Sequence, residues 1–194
     1  MIANFLKKIS VVSLLLLLMP LHPVTANAVT DSQYRQIQFC YVNATMYELF
    51  ASLYIKGQTK KQSKNIIKRA NTTPAVTKLM MKAVKTTYRD KPSSKFKYAL
   101  SKLHQCHQAK VPVINQRIGT LCYSLKGMVE VINNSKKSGK TYAQTMAMVD
   151  ATFKNKTMVS LARTMGKSVY SGDRPISKLQ KGYYLTCVKA AAPK

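Results

Sequence analysis

Apolar and polar residues alternate along this chain with helical spacing almost from end to end. Between Asp31 and Lys56, Ile37, Cys40, Ala44, Tyr47, Ala51 and Tyr54 recur at intervals of three and four. That rhythm predicts a first helix, and Gly57 stands where a helix commonly stops. Thr59 opens the pattern T-x-x-Q with Gln62, a capping box for a second helix. Asn71-Thr72-Thr73-Pro74 is a further start signal, with proline at the first helical position. Val76, Leu79, Met80, Ala83, Val84, Thr87 and Tyr88 then trace one face of a third helix, and Asp90 to Ser94 reads as a loop. A fourth helix turns Phe96, Leu100, Leu103 and Cys106 inward, and Val111-Pro112 closes the segment. The same reading predicts helices over 114–137, 142–153, 158–170 and 176–190, with fraying in the polar run Asn133 to Ser138. No segment sustains the two-residue period of a strand. The expected fold class is all-α.

The pattern repeats. An offset of 82 residues lays Cys40-Tyr41 on Cys122-Tyr123, Met46 on Met128, Glu48 on Glu130, Gly57 on Gly139, Thr59 on Thr141 and Gln62 on Gln144. Seven identities in 23 columns exceed the roughly one or two that residue frequencies supply. Leu79 with Leu161, Lys85 with Lys167 and Tyr88 with Tyr170 keep the register. The expectation is two tandem four-helix units from an internal duplication, 29–110 and 111–194.

The first 28 residues read differently. Lys7 and Lys8 precede the apolar run Val11 to Met19, and Ala26-Asn27-Ala28 has the small-x-small form of a cleavage site. This predicts a secretory signal peptide over 1–28. The apolar run is short of the ~20 residues a membrane-spanning helix needs. No later run reaches that length, so the mature chain is expected to carry no transmembrane segment. A periplasmic or secreted location follows. In that compartment the four cysteines, Cys40, Cys106, Cys122 and Cys187, are expected to form two disulfides. Each expected unit opens and closes with a cysteine, which favours Cys40–Cys106 and Cys122–Cys187. Closing loops of this length contributes about 3–4 kcal/mol in the chain-entropy account.

Charge supplies the functional signal. The chain has 32 Lys+Arg against 6 Asp+Glu. Loss of Lys7 and Lys8 leaves 30 against 6, a net +24. Lys60, Lys64 and Lys68 form one i, i+4, i+8 row, and Lys78, Lys82, Lys85 and Arg89 form another, with Lys167 as counterpart of Lys85. Almost no acids lie among them to pair along the helix. Self-repulsion on this scale works against the compact state, so an anionic partner relieves it. The partner expected is an anionic macromolecule, either an acidic protein or an envelope polymer. Nucleic acid contact would be nonspecific, since lysine far exceeds arginine and no reader motif is present.

Enzymatic chemistry finds less support. His104-x-x-His107 shares a helix face, but two histidines without nearby acids do not make a metal site. There is no G-x-S-x-G, no P-loop and no dinucleotide fingerprint. No cofactor and no metal are expected. The alternative to a non-enzymatic binding protein is a small envelope hydrolase in which Glu48 and Glu130, at the same repeat position, flank a glycosidic bond. A non-reducing peptide map of the secreted chain is expected to join Cys40 to Cys106 and Cys122 to Cys187. A peptide joining Cys40 to Cys122 or Cys187 would defeat the model of two separately closed units.

Overall fold

A computed structural model describes residues 29–153 and 156–191. The proposed signal peptide, residues 1–28, lies outside the described residues. The described residues form eight helices and no strand: α1 (Asp31–Ile55), α2 (Lys60–Arg69), α3 (Pro74–Asp90), α4 (Lys95–Lys110), α5 (Gln116–Lys137), α6 (Tyr142–Thr152), α7 (Lys156–Ser171) and α8 (Ile176–Ala191). The fold class is all-α. None of these helices is long and apolar enough to cross a membrane.

Local chemistry sets the helix ends. Thr30, Thr59 and Thr141 each accept a hydrogen bond from the backbone N–H three residues on, while Gln33, Gln62 and Gln144 reach back to the cap. Each box satisfies two otherwise orphaned donors. Thr73 caps α3 ahead of Pro74, and Ser94 caps α4. Gly57 and Gly139 follow α1 and α5 with φ of +78° and +81°, a conformation that disfavours any side chain. The polar run Asn133 to Ser138 does not fray before Lys137. Lys136 Nζ donates to the carbonyls of Val169 and Tyr170 at 3.0 and 3.2 Å, at the C-terminal end of α7. A cation is favoured there by the helix dipole.

By chain contacts the molecule divides into two compact units. One holds residues 29–121 with 188–191, and the other holds 122–187. In the first, α1 packs most extensively along α4 and also against α3 and α2. Tyr47, Phe50, Ile67, Met80, Ala83 and Val84 form its buried cluster. Leu103 and Cys106 of α4 are buried as the periodicity predicts, but Phe96 and Leu100 are only half-buried, and Ala99 and His107 take the interior. In the second unit, Val129, Ile132, Ala162, Met165 and Val169 are the most buried members of the core, and α6 packs on α7. Cys40 is bonded to Cys106, and Cys122 to Cys187. These bonds tie α1 to α4 and α5 to α8.

A tyrosine clamp recurs at the same offset. Tyr88 Oη donates to the Gln58 carbonyl at 2.5 Å and lies 2.8 Å from the buried Ser63 hydroxyl. Tyr170 Oη donates to the Lys140 carbonyl at 2.8 Å and lies 2.7 Å from the Thr145 hydroxyl. Each phenol fastens the α1–α2 or α5–α6 turn to a later helix. Tyr88→Phe and Tyr170→Phe are each expected to cost about 1–2 kcal/mol, because the partner hydroxyl is left buried with fewer bonds. Urea unfolding of the single variants measures this. A change below about 0.3 kcal/mol in both would remove the clamp from the account of stability.

Candidate functional site: the cationic helix faces

The basic rows are built by helical repeat on helices whose opposite faces are buried. At about 100° per residue, Lys78, Lys82, Lys85 and Arg89 fall within about 60° of one another on α3. Met80, Ala83, Val84 and Thr87, the buried residues of α3, lie on the opposite side. All four cations are exposed. Lys60, Lys64 and Lys68 are also exposed, but they flank the buried stripe of α2, Ser63 and Ile67, rather than oppose it. The first unit thus joins both rows on two packed helices, α2 and α3, with Asp90 as the single acid on either.

That acid is occupied. Asp90 Oδ1 accepts from Arg89 Nε at 2.9 Å, and Oδ2 accepts from Lys102 Nζ at 3.1 Å and from Tyr98 Oη at 3.0 Å. Burial is the strongest single influence on this carboxyl and opposes its charge. The bonds from Arg89, Lys102 and Tyr98 together outweigh it and hold the pKa below the usual value. Arg89 is therefore engaged by Asp90, while Lys78, Lys82 and Lys85 point away from the core. Lys102 is itself held over the Tyr98 and Tyr47 rings, at 5.0 and 5.6 Å.

The rows do not recur in the second unit. At the 82-residue offset Lys60, Lys64 and Lys68 meet Tyr142, Met146 and Asp150, and Lys78, Lys82 and Arg89 meet Ser160, Thr164 and Ser171. Asp150 is bonded by Arg163 at 2.7 Å. Lys167 keeps its place and is exposed. It lines an open cleft of about 420 Å³ with Ser168, Ser171, Asp173, Arg174 and Leu179.

The two glutamates sit apart from these faces, one in each unit. Glu48 is buried on α1. Tyr41, seven residues earlier, has its hydroxyl pKa pushed up chiefly by burial, with the Glu48 charge adding to the effect and a bond to Thr45 opposing it. Glu130 is half-buried on α5. Among the described residues, no group of three or more His, Cys, Asp or Glu side chains gathers as a metal site would need.

Sequence reading missed the burial of His107. It is 1% exposed, and a Cβ at Gly119 of α5 would lie 3.2 Å from its Nδ1. His104, one turn earlier, lies with Nε2 3.2 Å from the Thr120 hydroxyl. The glycine is the one signal in the sequence for this close approach. The chain matches no family model, and no curated protein or solved structure is similar to it.

Burial pushes the His107 pKa down from 6.5 to about 4, and the neighbouring His104 adds to the effect. His104 shifts the same way, mainly by burial. A histidine so shifted takes its proton more readily in the unfolded chain. Its contribution to stability is complete above the unfolded value of 6.5 and is lost as the pH falls from there to about 4. The loss for His107 is about 3 kcal/mol. Urea midpoints are expected to fall steadily between about pH 7 and pH 4, and His107→Gln to flatten much of that slope. An unchanged slope in the variant would place the acid sensitivity elsewhere.

Proposed function

We propose that this protein is a non-enzymatic, periplasmic or secreted helical repeat protein that binds an anionic macromolecule through the lysine-rich faces of its first unit. The observation that carries the reading is the row Lys78, Lys82 and Lys85, exposed opposite the buried face of α3. Lys60, Lys64 and Lys68 lie on the adjoining helix. Three lysines on one face without local carboxylates keep their full field for a partner. Arg89 contributes less to contact, because Asp90 already engages it. Lys167 is the second unit's counterpart.

The location is supported by two disulfides and by the absence, among the described residues, of a membrane-spanning helix. The origin of the chain by tandem duplication belongs to the same reading. Its support is the recurrence, 82 residues apart, of the capping box, the positive-φ glycine and the tyrosine clamp, and of a disulfide closing 66 residues in one unit and 65 in the other. Such features close and brace a unit. The lysine rows are confined to one copy, as expected of a surface adapted to a partner rather than to folding.

Between the two partner classes, an acidic protein is favoured over an envelope polymer. The apolar surface described below has no counterpart on a polysaccharide or polyphosphate. The hydrolase reading, with Glu48 and Glu130, has no observation in its favour beyond their shared repeat position.

The mature oxidised chain is expected to bind polyglutamate with an affinity that falls steeply with salt and is largely lost by about 0.5 M. Lys78→Glu, Lys82→Glu and Lys85→Glu together are expected to weaken binding at least about tenfold. The helix should be preserved, since the three positions are exposed. Equal affinity of the triple variant would move the interface away from α3.

A further inference from the structure

A second surface recurs where the lysine rows do not. On α1, Phe39, Val42, Met46, Leu49 and Leu53 follow one another at alternating spacings of three and four, all on one side of the helix. This side is not the one that buries Cys40, Ala44 and Ala51. Leu49 is 45% exposed, and Ile66 on the neighbouring α2 is 38% exposed. Met46 and Leu53 are half-buried and pack on the first core. At the 82-residue offset these four positions become Met128, Val131, Ser135 and Met148. All four line an apolar groove between α5 and α6, together with Thr152 and Phe153.

We propose that the apolar groove between the first two helices of each unit seats the hydrophobic edge of an acidic amphipathic helix from a partner protein. This rests on the proposed binding of an anionic partner, and it assigns contact to the grooves and attraction to the lysines. The enclosed part of the second groove is about 30 Å³, far below the several hundred Å³ of a small-molecule site. A shallow apolar strip along two helices matches instead the i, i+3, i+4, i+7 edge of a docking helix.

Charge selects the occupant. A second copy of this chain would bring together two surfaces from a molecule of 32 basic and 6 acidic residues, and like charges oppose that association. The grooves have cations beside them: α2 carries Lys60, Lys61, Lys64, Lys68 and Arg69 and no acid. Phe153 of the second groove lines an open cleft with Lys156 and with the Arg163–Asp150 ion pair, so Lys156 is the net cation there. A bilayer surface fits less well. Met46 and Leu53 are packed on the core and cannot insert among acyl chains without uncovering it.

The test uses a synthetic helix of about sixteen residues, with leucines at heptad spacing, glutamates elsewhere and one tryptophan on the apolar edge. The protein has no tryptophan, so all indole emission reports the peptide. The mature oxidised chain is expected to bind it saturably with a blue shift, part of which survives about 0.5 M salt. Leu49→Ser with Ile66→Ser, and Val131→Ser with Met148→Ser, leave the charge unchanged. Each pair is expected to remove one of the two sites and halve the binding stoichiometry, and the four substitutions together to weaken binding by about tenfold or more, with the helical circular dichroism intact. A scrambled peptide of the same composition should bind without the blue shift and be released by salt.

Equal binding of both peptides, unaffected by the serine variants, would overturn the grooves as a docking site and leave the anionic-partner reading standing. Failure to bind either peptide would overturn both. A matching blue shift with a lysine-substituted peptide would overturn the requirement for an acidic partner. Binding to phosphatidylglycerol vesicles that the serine variants abolish, with no peptide binding, would replace the helix by a lipid surface. Concentration-dependent dimerisation lost in the same variants would replace it by a second copy.

Discussion

Cys40–Cys106 and Cys122–Cys187 tie α1 to α4 and α5 to α8, and much else in this molecule depends on those two bonds. A chain with 32 basic residues against 6 acidic ones repels itself in any compact state. Its helices α2 and α6 are short, at 10 and 11 residues, too short to stand alone in water. A covalent link across 66 or 65 residues removes much of the freedom of the unfolded chain. It does so independently of charge and salt. Two of the six acids are engaged by nearby basic side chains, Asp90 by Arg89 and Lys102 and Asp150 by Arg163, and Asp31 lies in the first turn of α1.

With closure made covalent, the surface is free to carry charge. Core residues on α3 occupy one side of the helix and lysines the other. The second unit keeps the braces and loses the rows. Capping threonines, positive-φ glycines and clamp tyrosines recur because each satisfies a backbone group that would otherwise be orphaned at a turn. A lysine at the pole of a helix satisfies nothing within its own unit. In the second unit serine and threonine stand at the positions of Lys78 and Lys82 while Lys167 matches Lys85, and a helix forms there as well.

Buried polar groups show the same economy. Ser63 and Thr145 meet tyrosine hydroxyls. His107 has a consequence of its own, since its ring is buried where protonation is disfavoured. With few carboxylates present to titrate, acid stability in this chain is set to an unusual degree by its histidines.

Local rules were enough to read the eight helices, because caps, glycines and three-four spacing act within a few residues. The 82-residue register made the pairing of the cysteines legible, and the exposure of the lysine rows followed from their distance from apolar positions on the same helices. Tertiary packing decided the rest. Which of Phe96, Leu100, Ala99 and His107 would enter the interior of the first unit depended on what α4 meets, and Ala99 and His107 took the deepest places, His107 beside Gly119 of α5. That Arg89 is spoken for by Asp90, that Lys136 would hold the end of α7, and that Leu49 and Ile66 would stay uncovered are long-range outcomes. Sequence periodicity marks a residue as apolar or charged. Only the approach of another helix settles whether that residue is buried, bonded or left for a partner.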